Sequence, residues 1–403
     1  MVLEKYDRHD FRILHYIVGE CNYGGRVRDE QDRRYLLQTL AHFIQNDPPH
    51  DGLLKKTFLQ SKILPSTHQD LKDIVDFIPE SAGSLGLHEN ADTSKDLRNL
   101  KDLYQKMTSI LTESDLHLTS EMKAVGGKFT EILSLLPAPF DQGLVQKSYP
   151  IRGDDSLNIV LIREIKRFNT LIAKMRSTMT SLKDSDHFAM TPDNECAAKA
   201  LRNGNVPPSW LHVSYHSNKN IADYFSDFLL RINFFQNWLD EGQPIIFWMP
   251  AFFLPSAFLA AALHNYAKKW SISFCNLSFD HTVMKEEGTR PKPADGVYVG
   301  GVFCEAGQWD SEEGKLDEAR RGMLSSPMPA IWFNPRDQPP ARTEWREEEM
   351  DFNGRPLEEG LYHCPLYQAS RDRKFLCHVA LPTKVPQSHW IMRGTALIIG
   401  QEN

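Results

Sequence analysis

A chain of 403 residues with 41% hydrophobic and 25% charged side chains has ordinary globular composition and length enough for two or three domains with real cores. Its formal net charge of −7 gives no broad electrostatic drive towards nucleic acid or anionic lipid. Six scattered cysteines make no disulfide framework, and the charged opening MVLEKYDRHDFR is no secretory signal, so the expected compartment is cytosolic and reducing.

In chain order, Phe11, Ile13, Leu14, Tyr16, Ile17 and Val18 form an apolar run with almost nothing before it to pack against, which suggests a domain cut into. Gly24–Gly25 marks a turn, and Asp29 is the expected N-cap of a helix carrying Leu36, Leu40, Phe43 and Ile44, ended by Asp47-Pro48-Pro49. In GLHENADTSKDL, Thr93 and Asp96 resemble a capping box with Asp in place of the usual Glu. The helix it opens is expected to bury Leu97, Leu100, Met107 and Ile110 or Leu111. A further helix is expected around Ser120 to Leu136, weakened by Gly126–Gly127 and closed by Pro137 and Pro139. Residues 1 to 145 thus read as a helical unit.

The second unit opens with Asp154-Asp155-Ser156 and a stripe of Leu161, Ile165, Phe168, Ile172, Met175, Met179 and Leu182, spaced four and three apart. Three heptads can pair in a coiled coil, but a long bundle helix is the commoner use of such a stripe. VPPSW reads as a rigid connector, and a third amphipathic helix spans Asn218 to Leu239 with Ile221, Phe225, Phe228, Ile232 and Phe235 inward. From Pro244 to Leu263 no side chain is charged, which is long enough to raise a membrane span. Pro250 and Pro255 inside the run, and the helical stripe Phe258, Leu259, Ala262, Leu263 and Tyr266, argue instead for a short strand or loop, Ile245 to Met249, then a helix from Ser256 to Lys269. Phe247, Trp248, Phe252, Phe253 and Phe258 are expected to be buried at the seam between the helical half and the strand-like remainder. That remainder consists of short apolar runs, Ile272 to Val283, Gly296 to Cys304, Pro329 to Phe333, Leu361 to Tyr367, Phe375 to Leu381 and Trp390 to Ile399. These suggest an antiparallel sheet or small barrel, with acidic EWREEEMDFNG as a solvated connection.

Tested for chemistry, the sequence offers little. GGKFT at Gly126 to Thr130 lacks the upstream glycine and the hydroxyl of a phosphate loop. Gly300–Gly301 reads as a bulge or close strand crossing. His363–Cys364 and Cys377–His378 form the one metal-like pattern, but neighbours on a strand point to opposite faces, so at most one member of each pair could reach a common ion. Cys21 has too few partners for a thiolate site. His88–Glu89 reads as a polar helix-start loop before it reads as an acid–base pair. Arg26, Arg28, Arg33 and Arg34 lie among Asp29, Glu30 and Asp32, which points to local pairing or a protein interface.

Taken in order, GECNYGGRVRDEQDRR, GLHENADTSKDL, NIVLIREIKRFNTLI, VPPSW, FLLRINFFQNWLDEGQPIIFW, FFLPSAFLAAALHNYAKKWSIS, DGVYVGGVFCEAGQWD, MPAIWFNP, YHCPLY and HWIMRGTALI resemble the C-terminal end of a dynein heavy chain. The aromatic block and the HWIMRG ending look axonemal, and GECNYGG looks inner-arm-like. The resemblance implies an α+β fold. Residues 1–145 would be the helical small (lid) subdomain of the last, non-hydrolysing AAA+ module. Residues 146–403 would be the C-terminal domain, with helices over 154–270 and an incomplete antiparallel β-barrel over 271–403. It implies a place in a microtubule-based motor of the cilium or flagellum axoneme, partnered by other AAA+ modules of the same heavy chain and other dynein subunits. Microtubules would be met only indirectly, and nucleic acid and membrane not at all. ATP and Mg would belong to upstream modules, with no cofactor here. The interface or motif positions so marked are Tyr23, Gly24, Gly25, Arg26, Arg33, Arg34, His88, Glu89, Asn90, Phe247, Trp248, Phe252, Phe253, Trp309, Trp390 and Arg393, none with a catalytic, cofactor or metal role. Two departures stand out. Met249-Pro250-Ala251 follows Trp248 where the family has a Ser-Gly-type pair, and the segment after Tyr367 is shortened, which would leave the barrel more open. A stand-alone regulatory or scaffold module is the alternative of a different class; a metal or thiol enzyme built on His363, Cys364, Cys377 and His378 is the outsider.

Overall fold

The computed structural model describes residues 16–23, 25–27, 30–43, 87–114, 133–151, 155–184, 191–285, 291–337, 360–369 and 373–400. Several expectations lie outside the described residues: the start of the opening run, Gly24, Arg28, the Asp29 cap, most of the Ser120–Leu136 helix, GGKFT and the acidic stretch Glu344–Gly354.

The first described element is a π-helical turn, Ile17–Tyr23, laid on helix α1, Glu30–Phe43. Gly19 allows this closeness, since a Cβ there would sit 2.6 Å from Leu37. Helix α2, Asn90–Ser114, starts three residues before the expected Thr93 box. His88 supplies the start instead: its Nδ1 accepts from the Asn90 amide at 3.1 Å and its carbonyl from the Ala91 amide at 2.9 Å. The stripe expected to be buried is not, for Leu97, Leu100 and Met107 are 50%, 60% and 55% exposed. Helical spacing puts residues on one face; it does not supply a surface to cover them.

Helix α3, Gln142–Ser148, is capped by Asp141, whose carboxylate accepts from Gly143 and Leu144 amides. Helix α4, Ser156–Asp184, carries the heptad stripe as expected, with all seven residues at most 6% exposed. It is a bundle helix: Phe168 meets Phe228, Phe235 and Phe253 at centroid distances of 6.4, 5.3 and 4.8 Å. Helix α5, Pro192–Arg202, escapes an apolar-period reading because its buried residues are Ala197 and Ala198; its signal is the Thr191 cap with proline behind it. VPPSW is not only a connector but contains a short helix, α6, Pro208–Leu211, with Trp210 buried. Helix α7, Ile221–Glu241, capped by Asn220, buries Phe228, Ile232 and Phe235, with Ile221 and Phe225 only partly covered.

The uncharged stretch resolves into strand β1, Ile246–Trp248, a single 3₁₀ turn Met249–Ala251 and helix α8, Pro255–Trp270, close to the expected bounds. Among the described residues no helix is long and apolar enough to cross a membrane.

After a 3₁₀ turn at Phe274–Asn276 come β2 Leu277–Val283, β3 Val297–Gly300, β4 Val302–Glu305, β5 Gly307–Asp310, β6 Lys315–Glu318, β7 Ser325–Pro327, β8 Ile331–Asp337, β9 Leu361–Gln368 and β10 Lys374–Pro382. Helix α9, Gln387–Arg393, and β11, Ala396–Ile399, divide the run expected as one strand, with left-handed Gly394 between them. The short strands β5, β6 and β7 (GQWD, KLDE, SSP) have no apolar alternation and were not expected.

The mixed helix-and-sheet class is as expected, and the structure departs from the expected incomplete antiparallel barrel in two parallel strand pairs. The strands form a four-stranded sheet β1-β3-β8-β2, a five-stranded sheet β10-β9-β11-β4-β7 and a hairpin β5-β6, with no closed barrel among the described residues. Two pairs are parallel, β1 with β3 and β11 with β9. Parallel pairing needs a crossover, and each pair has one: α8 and β2 intervene between β1 and β3, and β10 and α9 between β9 and β11. The shortened segment after Tyr367 still leaves β9 and β10 paired along their length, with one irregularity between Phe375 and Cys377.

Gly301 is the expected close crossing. It has φ +78°, and a Cβ there would lie 2.6 Å from both Pro250 Cδ and Trp248 Cδ1. The sheets meet where His281 of β2 accepts from the Ala380 amide of β10 through Nδ1 at 3.4 Å, its ring edge-on to Phe333 at 4.7 Å. Burial, then the nearby His363, push the His281 pKa down to about 4.

Two outcomes are expected. Gly301→Ala combines an unfavourable left-handed conformation with a steric collision, and lowers unfolding stability by about 2 kcal/mol or more in denaturant titration. The unfolded chain protonates His281 near 6.5 but the folded chain only near 4, so its stabilising contribution is complete above that window and is lost as pH falls through it. That amounts to about 3 kcal/mol. His281→Asn flattens the stability–pH curve between pH 4 and 6.5; parallel wild-type and variant curves would contradict this.

Candidate functional site

The motif residues separate into two constructions. The first is a polar socket. Asn90 lies at the start of α2 because His88 holds the helix start there, and its buried carboxamide closes the loop after β6 from inside. The amide nitrogen donates to the Met323 and Arg320 carbonyls at 2.7 and 3.2 Å, and the amide oxygen accepts from Gly322 at 2.8 Å. His88, also buried, has Nδ1 occupied as an acceptor, so the proton is on Nε2, which donates to the Ala319 carbonyl at 3.1 Å. The His88 amide reaches the Arg393 carbonyl at 3.5 Å. Glu89 pairs with Arg321 at 2.9 Å, but both are exposed, which makes this the weakest contact of the group.

The far wall of the socket is α9. Glu318 receives His389 Nε2 at 2.5 Å and Arg393 Nε at 3.3 Å, and the buried Trp390 donates to Thr383 Oγ1 at 2.7 Å. Helix α1 docks on the same wall. Arg34, buried, donates to the His363 carbonyl at 3.3 Å with its guanidinium 5.9 Å from the Tyr362 ring, and Thr39 reaches Met392 Sδ. Arg33 instead pairs locally with Glu20 at 2.7 Å, as the acidic neighbourhood suggested. Tyr23, Gly25 and Arg26 form an exposed turn, with the Tyr23 carbonyl accepting from the Arg26 amide at 2.8 Å, and take no part in the socket. Trp309 packs against the core from β5, paired with Leu316 of β6.

The second construction is the aromatic seam. Phe247 and Phe252 are buried, each with its centroid 4.7 Å from Phe258, whereas Trp248 and Phe253 are only partly covered. Charged residues absent from the sequence-based set control it. Glu164, almost fully buried, accepts from the Phe253 and Leu254 amides at 2.8 and 3.4 Å and from Arg167 at 2.9 Å. Burial pushes its carboxyl above the ordinary range, against those donors. On the other side Arg231 bonds Asp227 at 2.7 Å, donates to the Pro250 carbonyl and lies 3.7 Å over the Tyr215 ring. The available signal was a charge inside an apolar helix: Glu164 beside Ile165, and Asp227 with Arg231 four apart on α7.

The metal-like pairs do not assemble. Across β9 and β10, Cys377 faces Leu366, His378 faces Pro365, Val379 faces Cys364 and Ala380 faces His363. Burial pushes the Cys364 and Cys377 thiols up to about 12, away from the thiolate a metal needs. Among the described residues no group of three His, Cys, Asp or Glu could hold a metal ion.

Residues 90–399 match the family model for the C-terminal domain of the dynein heavy chain, and residues 1–91 match that for the dynein heavy chain AAA lid domain. The sequence is 33% identical to human dynein axonemal heavy chain 12 over 421 residues, 99% of this chain and 13% of that protein. It is 33% identical to mouse dynein axonemal heavy chain 3 over 420 residues, 100% of this chain and 10% of that protein. With human dynein axonemal heavy chain 1 it shares 31% identity over 429 residues, 99% of this chain and 9% of that protein. The 403 residues therefore span a small part of the length of these relatives. The two family segments hand over at residues 90–91, on the socket.

Replacing Asn90 by Ala leaves the Gly322 amide and two carbonyls to find other partners. Amide exchange across residues 319–323 accelerates roughly ten- to hundredfold by mass spectrometry, while Arg321→Ala has little effect. Equal protection in the Asn90 variant would show that the clasp carries no weight.

Proposed function

The chain belongs to the dynein heavy chain family, as its AAA lid segment and C-terminal domain, and we propose that it completes and modulates the AAA+ ring of a microtubule-based motor. The observation carrying this reading is the socket. The residues at the meeting of the two family segments, His88 and Asn90, have their side chains clasped on the loop after β6. Force or rotation in the lid would reach the C-terminal sheets through that clasp and through Arg34 on the His363 carbonyl.

In this reading the work is mechanical. Nucleotide chemistry, with ATP and Mg, belongs to upstream modules of a complete heavy chain, and this stretch has no catalytic role of its own. The partners are neighbouring AAA+ modules and other dynein subunits, with microtubules met indirectly, and the setting is the cytoskeleton of the cilium or flagellum axoneme. The relatives' names support that setting. As finer architecture we infer residues 1–145 as a helical lid subdomain and 146–403 as the C-terminal domain, a later boundary than the handover of the two family models at 90–91. No observation favours a stand-alone regulatory module.

Deleting residues 146–403 from a complete heavy chain that includes this sequence changes gliding velocity or stall force and leaves basal ATPase largely intact. Paired His88→Ala and Asn90→Ala substitutions shift velocity in the same direction by less. Loss of all ATPase on deletion, or unchanged velocity and force, would sink the modulator role.

A further inference from the structure

We draw no further inference here: the strongest candidate, the apolar surface of α2 formed by Leu97, Leu100, Leu103 and Met107, each half or more exposed, carries nothing, because nothing among the described residues shows what covers it.

Discussion

The turn between β1 and α8 is held from both sides by buried charge, and the rest of the C-terminal half depends on it. Glu164 takes the amides of Phe253 and Leu254, which precede α8. Arg231 takes the Pro250 carbonyl. Each left unmet would cost about 1–3 kcal/mol. Buried charges of this kind add little net stability over apolar packing, but they tolerate one arrangement of their partners. Their consequence here is register: with the turn fixed, β1 enters beside β3 in parallel, pairing Phe247 with Val299 and Trp248 with Gly300.

Pro250, the departure from the family pattern, finds its reason at the same place. Its carbonyl is the Arg231 acceptor and its ring lies against Gly301, where no side chain would fit. A proline has no amide to satisfy, so this buried 3₁₀ turn has one donor fewer to place.

How much of this was legible depends on the kind of signal. The α4 stripe was readable because every third or fourth residue is large and apolar, and such a pattern on a long helix admits one buried face. Pro255 and the lysines at 268 and 269 marked both ends of α8. The same reasoning failed on α2, whose stripe is as regular but stays exposed, since periodicity carries no information about what lies opposite. It also failed on α9, where QSHWIMR is too short for a helical period to differ from a strand run, and on the parallel pairs, which follow from connections and not from strand composition. At the site, His88, Asn90 and Arg393 were marked, but their meeting was not: the socket joins residues more than two hundred positions apart through backbone carbonyls at 319, 320 and 323, which have no sequence signature.

The two junctions differ in physical kind. Between α4–α8 and the sheets the junction is apolar and continuous: the helical half lends β1 to the first sheet, and Phe247, Phe252 and Phe258 fill the space behind it, so the two cannot separate without exposing that core. Between the lid residues and the sheets the described contacts are chiefly polar. They include one buried carboxamide, one imidazole, one guanidinium, the Thr39 hydroxyl and a few backbone groups, with Leu97, Leu100 and Met107 of α2 exposed outside them. Polar contacts are directional and can be exchanged for water at modest cost, whereas a fused core is all or nothing. The C-terminal helices and sheets therefore share one core, while residues 88 to 90 are tied to the sheets by side-chain and backbone hydrogen bonds.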